Sequence, residues 1–232
     1  MIRNSILILI IAGMGWILFQ ELSAYHGADK LNSTAEYYAK NGAAETGAAN
    51  LVTAIVVTYR GFDTLGEVTI LFLTAAIIGF MLSTGKSSNR KPEQATSELL
   101  ETATNVLLPI IILVGVYIFI NGHLTPGGGF QGGAVLASAI ILWLMSVSGP
   151  RISHTLLKVT EAFSGFGFVI LGVLGIFLAA GFLDNKILPL GTFGELLSAG
   201  AIPIIYSLIG LKVGAELSKI IIVLNQTQGE EK

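Results

Sequence analysis

The 232-residue chain contains no cysteine, which excludes disulfide bridges and thiolate-held iron–sulfur clusters. Charge is scarce as well. Asp, Glu, Lys and Arg make up 12% of the residues, about half of the ~25% usual in soluble domains. The formal net charge is −2 and no basic run stands out, so nucleic acid is not an expected partner. The only histidines, His26, His123 and His154, lie too far apart for a metal-ligand pattern. No nucleotide-binding glycine loop and no nucleophile–base pair is visible. Neither catalysis nor a bound cofactor is therefore expected of this chain, and redox chemistry coupled to it would belong to another polypeptide.

What is present is apolar: 53% of the residues are hydrophobic, gathered in runs close to the ~17–25 residues that cross a bilayer. The expected fold is an all-α membrane protein of about six transmembrane helices, at Asn4–Phe19, Thr64–Ser83, Thr104–Asn121, Phe130–Ser148, Val159–Phe182 and Gly200–Leu224. Arg3 ahead of the first run resembles a signal peptide, but Gln20–Ala24 is a poor cleavage site, so the run is expected to stay as a span. Residues 21–49 are expected to form a solvent loop with a short helix around Asn32–Lys40. Leu51–Thr58 is too short to span and is expected as a half-helix at the interface. Pro109 falls near the start of the third span, where it kinks the helix or marks its true beginning. Pro203 fits the first turn of the sixth.

Loop cations orient the spans. Arg3, Lys86, Arg90, Lys91, Arg151, Lys158, Lys219 and Lys232 fall on one side, against Lys30, Lys40, Lys186 and the boundary Arg60 on the other. Both termini are therefore expected to be cytoplasmic. Residues 85–98, with Pro92 among polar and basic side chains, have the composition of a linker.

Arg60-Gly61-Phe62-Asp63-Thr64-Leu65-Gly66-Glu67 places three charges at the mouth of a membrane span. At helical pitch Arg60, Asp63 and Glu67 share one face, with Thr74 two turns further along it. Charges at that depth usually face a protein interior or an ion path. Thr64-x-x-Glu67 also fits a capping box, in which Glu67 merely serves the first turn of a helix. Both readings stand at this level.

In the fifth span Glu161, Gly165, Gly172, Gly175 and Ala179 share a face, the pattern of a close helix-packing seam. Glu161 lies at its end, where solvent could reach it. In the sixth, Lys212 and Glu216 share a face with Lys219, away from the Gly210/Gly214 pair. Lys212 sits near mid-span, where a charge costs at least ~2.5–3.5 kcal/mol. An exposed Lys–Glu pair four residues apart is worth only ~0.2–0.5 kcal/mol, so a partner carboxylate elsewhere, or a hydrated path, is expected to face Lys212.

Between the third and fourth spans runs Asn121-Gly122-His123-Leu124-Thr125-Pro126-Gly127-Gly128-Gly129-Phe130-Gln131-Gly132-Gly133. Proline followed by three glycines cannot continue a helix, so a sharp turn or an extended stretch at the bilayer edge is expected. This motif resembles the B subunit of Mrp-type multisubunit sodium/proton antiporters, a likeness that runs from about Asn105 to Leu224. The Arg60–Glu67 stretch is similar to the C-terminal segment of the antiporter A subunit, which membrane-bound hydrogenases carry as a small separate subunit. The resemblance implies two joined subunits, 1–84 and 99–232, linked through 85–98.

It further implies a non-catalytic membrane subunit of an ion-translocation module, in a hydrogenase-type complex or a stand-alone antiporter, in the inner membrane of a prokaryotic cell. The implied partners are other membrane subunits, the lipid bilayer, and sodium ions or protons. Arg60 and Glu67 match positions associated with ion transport. His123, Pro126, Gly127, Gly128, Gly129, Phe130 and Gln131 belong to the B-subunit motif. Asp63, Lys212 and Glu216 complete the expected ion-handling set, and a scaffold whose charges only join subunits is the competing expectation.

Overall fold

In a computed structural model of the chain, residues 2–25, 30–83, 97–146 and 153–227 are described. The helices are α1 (Ile2–Ala24), α2 (Ser33–Thr46), α3 (Leu51–Thr53) passing into a π-helical turn (Ala54–Tyr59), α4 (Gly61–Ser83), α5 (Glu98–Ile120), α6 (Gly129–Ser146), α7 (His154–Leu178) and α8 (Ile202–Thr227), with a 3-10 turn at Asn185–Ile187. There is no strand among the described residues.

Among the described residues five helices, within α1, α4, α5, α6 and α7, are long and apolar enough to cross a membrane. Helix α8 has 26 residues, about 39 Å at 1.5 Å per residue, enough for a hydrocarbon layer of ~30 Å. Charge sets it apart, because Lys212, Glu216 and Lys219 fall inside any 18-residue window of it. The expected six spans are thus five apolar helices and one that carries ions.

The chain divides into two compact units, residues 1–37 and 38–232. The first contains α1, whose run Ile6–Ile11 makes it apolar all round, as a helix in lipid is. Within the second, α8 is the axis. Helices α4, α5, α6 and α7 all pack on it, around buried Ile202, Ile205, Ile209 and Val213, with Phe119 and Phe168. Close approach holds the α5–α6–α8 side together. A Cβ at Gly133 would lie 2.7 Å from the Gly210 carbonyl, and one at Gly210 would lie 2.5 Å from the Phe119 ring. Lipid is as apolar as leucine, so such van der Waals contact is what drives helices together in it.

Several expectations are corrected. The half-helix expected at Leu51–Thr58 is a short α-turn that passes into a π-helical turn ending at Tyr59. Thr53, Ala54 and Val57 in it are fully buried, in a segment started by Asn50, whose side chain accepts from the Val52 N–H. Helix α2 runs on to Thr46, so Gly42–Thr46 is helix rather than solvent loop. The chain after it is held inside by Asn185, whose Nδ2 donates to the Thr46 carbonyl at 2.7 Å and to that of Ala199 at 2.9 Å. Pro109 lies in the interior of α5, since that helix begins at Glu98, about three turns earlier. The glycines of α7 make no single helix seam. Gly172 and Gly175 receive Phe182 and the Gly181 carbonyl of the chain turning back after α7. The linker expected at 85–98 falls, but for its last two residues, outside the described residues, as do His26 and the side chain of His154.

Candidate functional site

Helix α4 begins at Gly61, not Thr64. A Cβ at Gly61 would stand 3.0 Å from Leu183 in the chain after α7. Thr64 is buried inside the helix, and its Oγ1 donates to the Val56 carbonyl at 2.7 Å. That carbonyl lies in the π-helical turn, where the regular backbone ladder is interrupted. The capping-box reading therefore fails, because the Thr64 hydroxyl serves the preceding turn and Glu67 has no cap to complete. Glu67 is exposed and makes no side-chain hydrogen bond or ion pair among the described residues. Arg60 pairs with Asp63 through Nε and Oδ2 at 2.5 Å, both exposed. With Val56, these three charged side chains line one small cleft of about 100 Å³.

Gly61, Thr64, Val68 and Ala75 form the buried stripe of α4. At 100° per residue Glu67 falls on one flank of that stripe, while Leu65, Thr69 and Phe72 fall on the other. The second polar group lies on this other side. Lys212 Nζ donates to Glu216 Oε1 at 2.7 Å, with side chains only 8% and 0% exposed. Across to α7, Lys219 Nζ donates to Glu161 Oε2 at 3.2 Å, and Glu161 is buried. The ring of Phe72 covers the Lys212 ammonium at 4.9 Å, and Gly165 leaves space for it.

The partner of Lys212 is thus its own neighbour on α8, which corrects the expectation of a carboxylate elsewhere. The weak value for an exposed helix pair does not apply once both charges leave water, where their attraction rises steeply and an unpaired charge would be the costlier state. Lys212 also borders an open cavity of about 480 Å³ between α4, α7 and α8. Glu216 Oε2 is buried without a hydrogen-bond partner among the described residues. Alternating acids and ammonium groups of this kind can pass a proton or balance a cation.

The glycine turn between α5 and α6 is held tightly by the protein around it. His123 is fully buried, with Nε2 3.3 Å from the Glu195 carbonyl. Asn50 Nδ2 donates to the carbonyls of Gly122 and Thr125 at 2.8 and 3.0 Å. Thr53 Oγ1 donates to Gly122 at 2.6 Å and accepts from the Tyr206 hydroxyl at 3.0 Å. A Cβ at Gly129 would lie 2.6 Å from Ile209, so the motif seats α6 on α8. Phe130 packs on the core, whereas Pro126 and Gln131 are exposed. Burial holds the His123 imidazole below its ordinary pKa, countered in part by the backbone carbonyls of Glu195 and Ile120.

The fold brings Arg60, Asp63 and Glu67 together, and separately Lys212 and Glu216. It does not join the two groups, which flank α4 on different sides, and no motif residue borders the larger cavity. Glu161 and Lys219 complete the buried cluster, although they were not among the expected ion-handling residues. The available signals were the position of Glu161 one turn before Gly165 and that of Lys219 on the Lys212–Glu216 face. Among the described residues no three His, Asp or Glu side chains converge as metal ligands.

A helical, multi-pass membrane protein whose least apolar long helix is its packing axis and carries a buried ion pair is the class defined here. Residues 99–219 match the domain related to the MnhB subunit of Na+/H+ antiporter, and the chain belongs to that family. Residues 2–94 match MbhE, the E subunit of MBH. An uncharacterised protein of Methanocaldococcus jannaschii is 31% identical, the match covering 73% of this chain and 74% of that protein. The B subunit of the Na(+)/H(+) antiporter of Bacillus subtilis is 36% identical over 38% of this chain and 56% of its own length. Among solved structures, a chain from the membrane-bound sulfane sulfur reductase, an archaeal respiratory membrane complex, is 40% identical with a TM-score of 0.78, covering 97% of this chain and 98% of that one.

Proposed function

We propose that this chain is a non-catalytic subunit of a sodium/proton antiporter-type ion-translocation module, built into a respiratory complex in the cell membrane of a prokaryote and surrounded by other membrane subunits. The observation that carries this is the likeness, nearly end to end, to a chain of a respiratory membrane complex. The MnhB-related match over residues 99–219 supports the antiporter-type assignment. The redox partner is a hydrogenase or a related module such as a sulfur reductase. The MnhB-related and MbhE matches abut between residues 94 and 99, which supports two subunits joined through 85–98. Both termini face the cytoplasm. Because the chain has no cysteine, one engineered at either end and labelled with an impermeant reagent from one side tests that orientation.

Glu67 is the ion-exchanging carboxylate, with Arg60 and Asp63 setting its affinity through nearby charge, and Lys212 with Glu216 is the second polar point. Glu67→Gln keeps the shape and removes the charge. Sodium/proton exchange by the assembled complex is expected to fall while assembly is preserved. Unchanged exchange in that variant would leave the ion role without support.

One observation favours a second reading, a scaffold. Lys212 Nζ is paired with Glu216 Oε1 inside the chain, so the lysine needs no passing ion and its charge holds the scaffold's own helices rather than joining subunits. The scaffold reading expects Glu67→Gln to transport normally, and Lys212→Met to destabilise this chain and so reduce the assembled complex on native gels.

A further inference from the structure

Helices α4 and α7 both pack on α8, leaving a groove between them with α8 as its floor. Beyond the groove Phe62 of α4 stacks on Phe182, just after α7, with ring centroids 4.7 Å apart. Leu65, Val68, Phe168 and Val169 line the groove on the side of that contact, and Lys158 and Lys219 border it toward the start of α7. From Lys158 to Val169 the groove follows α7 for eleven residue steps, about 16 Å, close to half of a ~30 Å hydrocarbon layer. Its wall is apolar along Leu65, Val68, Phe168 and Val169 and basic where Lys158 and Lys219 border it.

The charges along it do not cancel. Lys212 is taken by Glu216 and Lys219 by Glu161. Lys158 makes no ion pair among the described residues and is exposed. Among the described residues one cation is therefore left over at the mouth, and the Glu161 carboxylate that would repel an anion is already bonded. Basic pockets between membrane helices on the cation-rich side are sites for anionic head groups.

We propose that the groove between α4 and α7 holds an acyl chain of one anionic phospholipid, with its phosphate on Lys158. This stands apart from the ion-handling role of Glu67, which lies on the other flank of α4, and it puts lipid rather than water against the side of Lys212 that borders the groove.

The test is native mass spectrometry of the purified full chain in detergent, offered equimolar phosphatidylglycerol and phosphatidylcholine. One phosphatidylglycerol is expected to be retained preferentially. Lys158→Gln is expected to weaken its retention about fivefold, while Lys186→Gln, outside the groove, leaves it unchanged. Equal retention of the two lipids, or no effect of Lys158→Gln, overturns the proposal. Thr69→Cys on the groove wall reads what fills it in the membrane. Resistance to a charged, impermeant thiol reagent together with reaction to a lipophilic one supports a lipid. Fast reaction with the charged reagent means water, and cross-linking to a neighbouring subunit means a protein occupant, and either overturns the proposal.

Discussion

Gly165 of α7 makes the place in which Lys212 of α8 lies: a Cβ at position 165 would stand 3.2 Å from Nζ and 3.5 Å from Cε. Phe72 covers the same ammonium from α4. A buried cation is thus housed by three helices, one of which contributes only the absence of a side chain.

Replacement of that glycine is expected to depend on size. Gly165→Ala crowds the ammonium by a few tenths of an ångström but gains up to about 1 kcal/mol in helix propensity, so it should be nearly neutral. Gly165→Leu must displace Lys212 and should lose about 1–3 kcal/mol. Thermal unfolding of the chain in detergent checks the order, and a Leu variant as stable as the parent would mean that Lys212 does not lie there.

The Lys212–Glu216 pair calls for a double-mutant cycle. Either Lys212→Met or Glu216→Gln alone leaves a buried group unpaired and should cost about 3–5 kcal/mol. The double variant should cost clearly less than their sum, with a coupling of about 0.5–3 kcal/mol. Additive losses would place the partner of Lys212 outside this chain.

Thr64→Val is isosteric and removes the donor to the Val56 carbonyl. Leaving that carbonyl unpaired should cost about 1–3 kcal/mol, which Thr64→Ser should largely restore. Thr74→Val is the control. Its hydroxyl bonds the Ile70 carbonyl of its own helix on an exposed face, and its loss should stay within about 0.5 kcal/mol. Equal losses at the two positions would remove Thr64 as the tie between α4 and the π turn.

His123 implies a pH dependence of definite sign. Its folded pKa lies below the ordinary 6.5 because burial disfavours the charged ring, so the unfolded chain binds the extra proton first. Its contribution is complete above about pH 6.5 and is lost as pH falls through that value toward the folded pKa. Between pH 8 and 5 the unfolding midpoint of the parent should drop more than that of His123→Gln, whereas parallel curves would show that the ring is not held neutral.

The long apolar helices were legible because their runs exceed what any other structure needs, and the polar face of Arg60, Asp63 and Glu67 followed from pitch alone. The π turn was not. The short, mostly apolar stretch Leu51–Thr58 does not report by its sequence how much of it the protein covers, and only the tertiary structure shows the bond of Thr64 to Val56 and the burial of Val57. The direction of Lys212 away from Gly210 and Gly214 was also legible. Its ion partner was misjudged because the strength of a charge pair depends on its burial, which spacing does not report.

Composition and pattern by themselves determined that the chain is helical, that lipid is its solvent, and that a few charges must be accommodated inside it, since apolar length and charge scarcity act locally. Only the tertiary structure decided which charges meet. Glu161 and Lys219 stand 58 positions apart and come within a hydrogen bond because α7 packs along α8. The bed of Lys212 is likewise shaped by Gly165 and Phe72 from two other helices, and contacts of that kind arise from packing rather than from any local order of residues.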